Sequence, residues 1–235
     1  MHRDKQISNC PSCGAEFVFQ SSSSVYTVCK YCSSMIVRHD VDVESIGKMA
    51  ALPNDMSPIQ IGTEGVYRGI RFGIIGRMKI GWEDGSWNEW FILADDGRKG
   101  WLAEAQGFYA VSFEIEDTLL PNAAGGFLNK IKSIIGYDKP SLPTPRSVPK
   151  LGSYLTLNNQ KLKVVDIKNA VCIGSEGELP FNAPQGRKTM AIDLLGTAGE
   201  FAAIEIENDQ WRIYAGHYVE WDELRCHNLR PLEGW

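Results

Sequence analysis

Four of the chain's six cysteines fall into two pairs with the same short spacing, Cys10-Pro-Ser-Cys13 and Cys29-Lys-Tyr-Cys32, with fifteen residues between the pairs. Two Cys-x-x-Cys turns at this separation form the pattern of a four-sulfur metal site. Two intervening residues make a turn tight enough to aim both sulfurs at one point about 2.3 Å away. Four thiolates complete a tetrahedron and leave no position for water, so the chemistry is structural: a zinc ion held by Cys10, Cys13, Cys29 and Cys32. The same pattern also fits a reduced or redox-active cysteine cluster. A fragment this small buries too little apolar surface to fold alone, and metal binding supplies the missing free energy.

The elements that must position these sulfurs are short. Gly14 follows the first turn, where a positive φ is required, and Ser33 takes the matching place after the second. Residues 16–19 and 24–28 read as two strands joined at 21–24, which gives a zinc ribbon whose two knuckles are held together by one hairpin. Cys172 and Cys226 stand apart from the cluster and read as small buried hydrophobes.

Other residues bear on catalysis. Glu89 lies inside Trp87-Asn-Glu-Trp90, where burial would raise its pKa toward acid–base use. Strand alternation puts Asn88 and Trp90 on one face and Glu89 on the other, which predicts that Glu89 faces solvent or pairs with Arg98. Adjacent Cys226 and His227 face opposite ways and make no nucleophile–base pair. A second metal site from Cys172, His217 and Cys226 would need the fold to gather them. No Gly-x-Ser-x-Gly, Walker-type loop or His-Glu-x-x-His occurs. The expectation is a protein that is not an enzyme.

Seven tryptophans are present, with Trp82, Trp87, Trp90 and Trp101 crowded together. Core packing accounts for large rings in small β-units. The alternative is an aromatic surface for a protein partner, made by Trp87, Trp90, Trp101 and Tyr109. Glu83, Asp84 and Glu89 surround it with negative charge, and the chain carries a net −5 with a pI near 5.5. Both observations argue against nucleic acid, which needs surplus Lys and Arg.

Hydrophobic residues make up 43% of the 235 positions and charged residues 23%, the balance of a soluble globular protein. No apolar run is long enough to span a bilayer, and the polar N-terminus has no signal-peptide character, so a cytoplasmic location is expected. The fold expected is mostly β: an N-terminal zinc ribbon (1–38), a linker (39–58), a first β-barrel or sandwich domain (59–118), a second linker (119–149) and a second, related β-domain (150–235). Strands are expected near 65–67, 71–80, 89–94, 100–103 and 108–115, with turns at Glu83-Asp-Gly85 and Asp95-Asp-Gly97. The relation between the domains is read from echoes. Ile61-Gly-Thr63 matches Leu151-Gly-Ser153, and residues 71–75 match 161–165, both ninety positions on. Weaker echoes link Trp90–Leu93 with Ile192–Leu195 and Gly107-Phe-Tyr109 with Gly216-His-Tyr218.

In the second linker, residues 127–135 have helical spacing, with Phe127 and Ile131 on the apolar face. A proline-rich spacer follows. The helix reads either as a cap on one β-domain or as a docking element for a partner or a membrane surface.

Ile61-Gly-Thr-Glu-Gly65, Trp87-Asn-Glu-Trp90, Gly100-Trp-Leu102 and Gly107-Phe-Tyr109 together resemble the bacterial domain-of-unknown-function family 4178, with residues 150–235 as a weaker second copy. That resemblance implies a non-catalytic accessory protein, often preceded by a zinc ribbon and linked to envelope stress or polyamine metabolism. The leading expectation is therefore an adaptor or scaffold within a multiprotein complex. Two alternatives stand beside it, a nucleic-acid-binding zinc-ribbon protein and an enzyme or polyamine-binding sensor.

Overall fold

The computed structural model describes residues 7–39, 42–52, 55–115 and 147–231. The predicted helix with Phe127 and Ile131 lies outside these residues, as does most of the proline-rich spacer. The described chain is mostly β, as expected, with fifteen strands and one short 3-10 turn at Trp221–Leu224. Among the described residues no helix is long and apolar enough to cross a membrane.

The N-terminal module comprises β1 (Ile7–Asn9), β2 (Glu16–Val18), β3 (Tyr26–Val28), β4 (Ser34–His39) and β5 (Asp42–Lys48). The strands expected between the cysteine pairs form, but they do not pair with each other. β1 pairs β2 around the first Cys-x-x-Cys turn, and β3 pairs β4 around the second. Each knuckle thus sits at the tip of its own hairpin, because the residues before Cys10 and after Cys32 supply the partner strands. β5 continues the sheet beside β4, so Asp42–Lys48 of the stretch read as a linker (39–58) form a strand.

Two five-strand units follow. The first is β6 (Glu64–Tyr67), β7 (Ile70–Trp82), β8 (Gly85–Ala94), β9 (Lys99–Ala105) and β10 (Phe108–Ile115). The second is β11 (Tyr154–Leu157), β12 (Gln160–Leu179), β13 (Lys188–Leu195), β14 (Glu200–Glu207) and β15 (Gln210–Val219). Their local geometry repeats. Gly62 N donates to Ile74 O and Ile74 N to Thr63 O; ninety positions on, Gly152 N donates to Val164 O and Val164 N to Ser153 O, all at 2.8 Å. Bulges also match, between Ile74 and Gly76 on β7 and between Val164 and Asp166 on β12. Four two-residue hairpins have both turn residues at positive φ: Arg68-Gly69, Asn158-Asn159, Gln106-Gly107 and Asn208-Asp209. The Gly107 turn therefore corresponds to Asn208-Asp209. The echo with Gly216 does not hold, since Gly216 lies within β15.

The two units share one sheet. β10 pairs β15, and β7 pairs β12, each time antiparallel between equivalent strands. The order β7-β8-β9-β10-β15-β14-β13-β12 returns to β7, so eight strands form a closed ring. Close approach at the seams requires glycine. A Cβ on Gly76 would lie 1.8 Å from Glu178 O, and one on Gly216 would lie 1.8 Å from Val111 O.

Both faces of the ring strands are packed. One face forms a central cluster around Ile80, Phe91, Trp101 and Tyr214. The other carries two clusters, one around Trp90, Ile92 and Leu102, the other around Ile192, Leu194 and Ile204. This double burial explains long apolar runs such as Trp90–Leu93, where alternation alone would have left one face polar. The N-terminal module is fixed to the ring through β3, whose Tyr26 and Thr27 pair Leu179 and Glu178 of β12. Glu178, buried at this joint, accepts hydrogen bonds from Gln20 N at 2.7 Å and Ser21 N at 3.2 Å.

Candidate functional site

Cys10, Cys13, Cys29 and Cys32 come together, with all four sulfurs within 4.8 Å of one another. Cys10 and Cys32 Sγ are 3.7 Å apart, and Cys13 and Cys29 Sγ are 3.8 Å apart. A tetrahedral metal with bonds of about 2.3 Å needs sulfur separations of about 3.8 Å, so the geometry fits a metal ion. The two knuckles are built alike. Gly14 N donates to Cys10 O and Ser33 N to Cys29 O, each at 2.9 Å. Gly14 and Ser33 both take the positive φ expected of them, 75° and 58°. The Ser34 hydroxyl, 3.2 Å from Cys32 Sγ, and the Ser34 backbone pull this thiol down to about 6, toward the thiolate that binds metal.

The tryptophans do not make an exterior partner surface. Trp90 is 1% exposed and Trp101 5%. The Trp90 indole N–H donates to Glu104 at 2.9 Å, in a network that also holds Asn88, Arg77 and Asp55. Tyr109 is half-buried against Trp221, ring centres 5.0 Å apart. Trp87 faces inward. Trp90 and Trp101 are packed in the core, the first of the two expectations for them, and the alternative of a partner surface does not have their rings to use.

The inward face of the ring lines a partly open cavity of about 180 Å³, with residues from all eight strands and exposed Phe108 and Tyr218 among them. It exists because many inward positions carry only a methyl group, among them Ala103, Ala110, Ala170, Ala191 and Ala203. Aromatic rings form the rest of the wall, including Trp82, Trp87, Trp101, Phe201, Tyr214 and Tyr218. Three carboxylates face it, and each stands opposite an alanine on the neighbouring strand: Glu89 opposite Ala103, Asp193 opposite Ala203, and Glu205 opposite Ala191.

The three acids differ in their partners. Glu205 is matched by Arg187 at 2.9 Å and Arg212 at 3.6 Å. Glu89 accepts one hydrogen bond, from Trp87 Nε1 at 2.7 Å. It is neither in bulk solvent nor paired with Arg98, which binds Asp96 at 2.7 Å. Asp193 has no hydrogen-bond partner among the described residues. Burial pushes Glu89 up to about 8, against the Trp87 hydrogen bond and with help from Asp193 and Glu205. Burial likewise lifts Asp193 to about 6, moderated by the charge of Lys168. Lys168 is bound to Asp166 and lies 5.1 Å over the Trp82 ring.

Sequence reasoning singled out Glu89 but missed Asp193 and Glu205. No local signal marked them: in Ile192-Asp-Leu194 alternation puts Asp193 on the face opposite two buried neighbours, a face that only the closure of the ring turns into an interior.

The remaining chemistry-bearing residues stay apart. His217 Nδ1 meets the Tyr67 hydroxyl at 3.1 Å, and His227 Nε2 meets Glu64 at 3.0 Å. Burial pushes both Cys172 and Cys226 up to about 11, as inert interior thiols. Among the described residues, no second cluster of metal-ligand type joins Cys172, His217 and Cys226.

A family model described as a domain of unknown function, DUF4178, matches residues 60–221, through both five-strand units. No curated protein and no solved structure matches the chain.

Proposed function

We propose, for a chain that belongs to the DUF4178 family, a non-catalytic ligand-binding role in which the ring encloses a small molecule and the cysteine module is a rigid platform on its wall. The observation that carries this reading is the central cavity, to which all eight ring strands contribute and which Glu89 and Asp193 face with no ion-pair partner in direct contact among the described residues. A protein with no use for that space would fill it with larger side chains, because voids weaken packing. The two halves are read as duplicated copies of one unit, on the strength of the ninety-position repeat in their hydrogen bonds. Zinc is the metal proposed for Cys10, Cys13, Cys29 and Cys32, since four thiolates at tetrahedral spacing suit it and leave it no open position.

The lining has no cysteine or histidine, so covalent chemistry through a thiol or an imidazole is not part of the reading. The test is to purify the chain from its native cells without denaturation and identify small molecules that leave with it. A variant that fills the space, Ala191→Phe, is the control. A compound near one equivalent in the native chain and absent from the variant supports the reading; identical contents in both contradict it.

A protein partner is a second reading. The aromatic surface first expected for it is interior, but the N-terminal module presents exposed Ile7, Tyr31 and Ile46. This surface suits an adaptor contact made through the module, and the link to envelope stress or polyamine metabolism rests on the family resemblance alone. Loss of a co-purifying protein on Tyr31→Ser, with the metal retained, would support it; unchanged co-purification would remove it.

A further inference from the structure

Resting on the reading of the cavity as a ligand site, we propose that its ligand is a small organic cation, an ammonium group on a short apolar stem, whose charge is taken up by Glu89 and Asp193.

The charge balance of the lining carries the argument. The titratable groups facing the cavity are Glu89 from β8, Asp193 from β13, Glu205 from β14 and Lys168 from β12, with Tyr214 and Tyr218 from β15. Behind Glu205 stand Arg187 and Arg212, which neutralise it. Lys168 is engaged by Asp166. Glu89 and Asp193 remain, two carboxyl groups facing the cavity with no cation in direct contact with either; the Lys168 charge reaches Asp193 and leaves Glu89 without one. Such a site repels anions and gives a neutral polar molecule little. An organic cation gains twice: from the carboxylates, and from lining aromatic rings such as those of Trp87 and Trp101, whose quadrupoles attract positive charge. A strongly hydrated metal ion would have to shed its water against alanine and indole, whereas an alkylammonium has an apolar stem to bury there. The size also fits. An engineered cavity of about 150 Å³ holds benzene, so about 180 Å³ takes a ligand of roughly six to eight non-hydrogen atoms.

The empty site keeps its balance by holding a proton. Burial keeps Glu89 protonated near neutral pH. An entering ammonium replaces that proton, which passes to the buffer, while Asp193, with its lower value of about 6, is already ionised. Binding then releases about one proton per ligand at pH 7, and affinity rises about tenfold between pH 7 and pH 9 before levelling.

The experiment is calorimetry on the full chain with n-butylammonium, and with n-butanol as its neutral match, at pH 7 and 9 in two buffers of different ionisation heat. The expected result is at least tenfold preference for the ammonium, the pH rise and the released proton. Glu89→Gln should lose the proton release and most of the preference while still taking n-butanol, and Asp193→Asn should lose part of the preference. Ala191→Phe should bind neither probe. Equal or tighter binding of n-butanol, or ammonium binding with no proton release, overturns the cation and leaves the cavity as a site. Absence of binding by either probe overturns both.

Discussion

Trp87 and Glu89 stand two positions apart on one face of β8, and the Trp87 indole N–H donates to a Glu89 carboxylate oxygen at 2.7 Å inside the closed ring. Strand alternation makes the pair neighbours. The closing of the ring makes their face an interior, and that interior decides what Glu89 can do. Trp90, on the other face of the same strand, donates in the same way to Glu104, but there Asn88, Arg77 and Asp55 complete the network. One strand thus carries a satisfied structural acid contact on one side and an unsatisfied one on the other.

The free chain is expected to lose stability as pH rises through the range in which Glu89 titrates. Its folded value of about 8 lies above the ordinary carboxylate value, so the folded state holds a proton that the unfolded chain has already released. Stability should therefore fall between about pH 5 and 8, and Glu89→Gln should flatten the fall, with a gain of about 3 kcal/mol at pH 8. Urea midpoints at pH 5 and 8 check this; a steeper fall in the variant would contradict it.

Asp55 behaves oppositely. Burial raises its pKa, but the Lys79 hydrogen bond and the Arg77 charge prevail and hold it at about 2. Its contribution is present above the ordinary carboxylate range and is lost as pH falls from about 4 through 2. Arg77 is 4% exposed, and Arg230 also binds Asp55, at 3.1 Å. Asp55→Asn leaves Arg77 poorly compensated and should cost about 3 kcal/mol at pH 7, read by denaturant titration.

Metal removal should affect one module first. With about one equivalent of zinc bound, the four thiols of the site should be protected from a thiol reagent, and chelation should expose them together. The Tyr26–Leu179 pairing and buried Tyr26 tie the module to the ring, so chelation should also lower the ring's melting temperature by several degrees. Metal analysis and calorimetric scans test both statements.

At the seams Gly76 and Gly216 leave no room for a side chain. Gly216→Ala places a methyl group 1.8 Å from Val111 O and should cost about 3 kcal/mol or prevent folding, whereas Gly73→Ala, with open space around its Cβ, should change stability by less than about 1 kcal/mol. Parallel unfolding curves for the two variants are the check.

Much of this fold was legible in the sequence. The cysteine spacing located the cluster of four sulfurs, the Asp-Asp-Gly97 turn and the strand at 108–115 were legible in place, and the ninety-position echo reappears in matching hydrogen bonds. What escaped was long-range. Local pattern does not say that β10 pairs β15 or that β12 pairs β7, and without that closure Trp90 and Trp101 read as candidates for a surface. The same gap hid the cavity, because Glu89, Asp193 and Glu205 meet only when strands more than a hundred positions apart share one ring. The hairpins of the metal module were misread for a nearer reason: the strands β1 and β4, outside the cysteine pairs, are the partners that β2 and β3 take.

The most direct measurement is the nitrogen-15 and proton shift of the Trp87 indole N–H as pH is raised, with and without saturating n-butylammonium. The account predicts a midpoint near 8 in the free chain, set by Glu89 at the other end of that hydrogen bond, and a midpoint below 7 in the complex, because the ammonium has taken the proton's place. An indole signal that ignores pH, or a midpoint that the ammonium leaves unmoved, would contradict it.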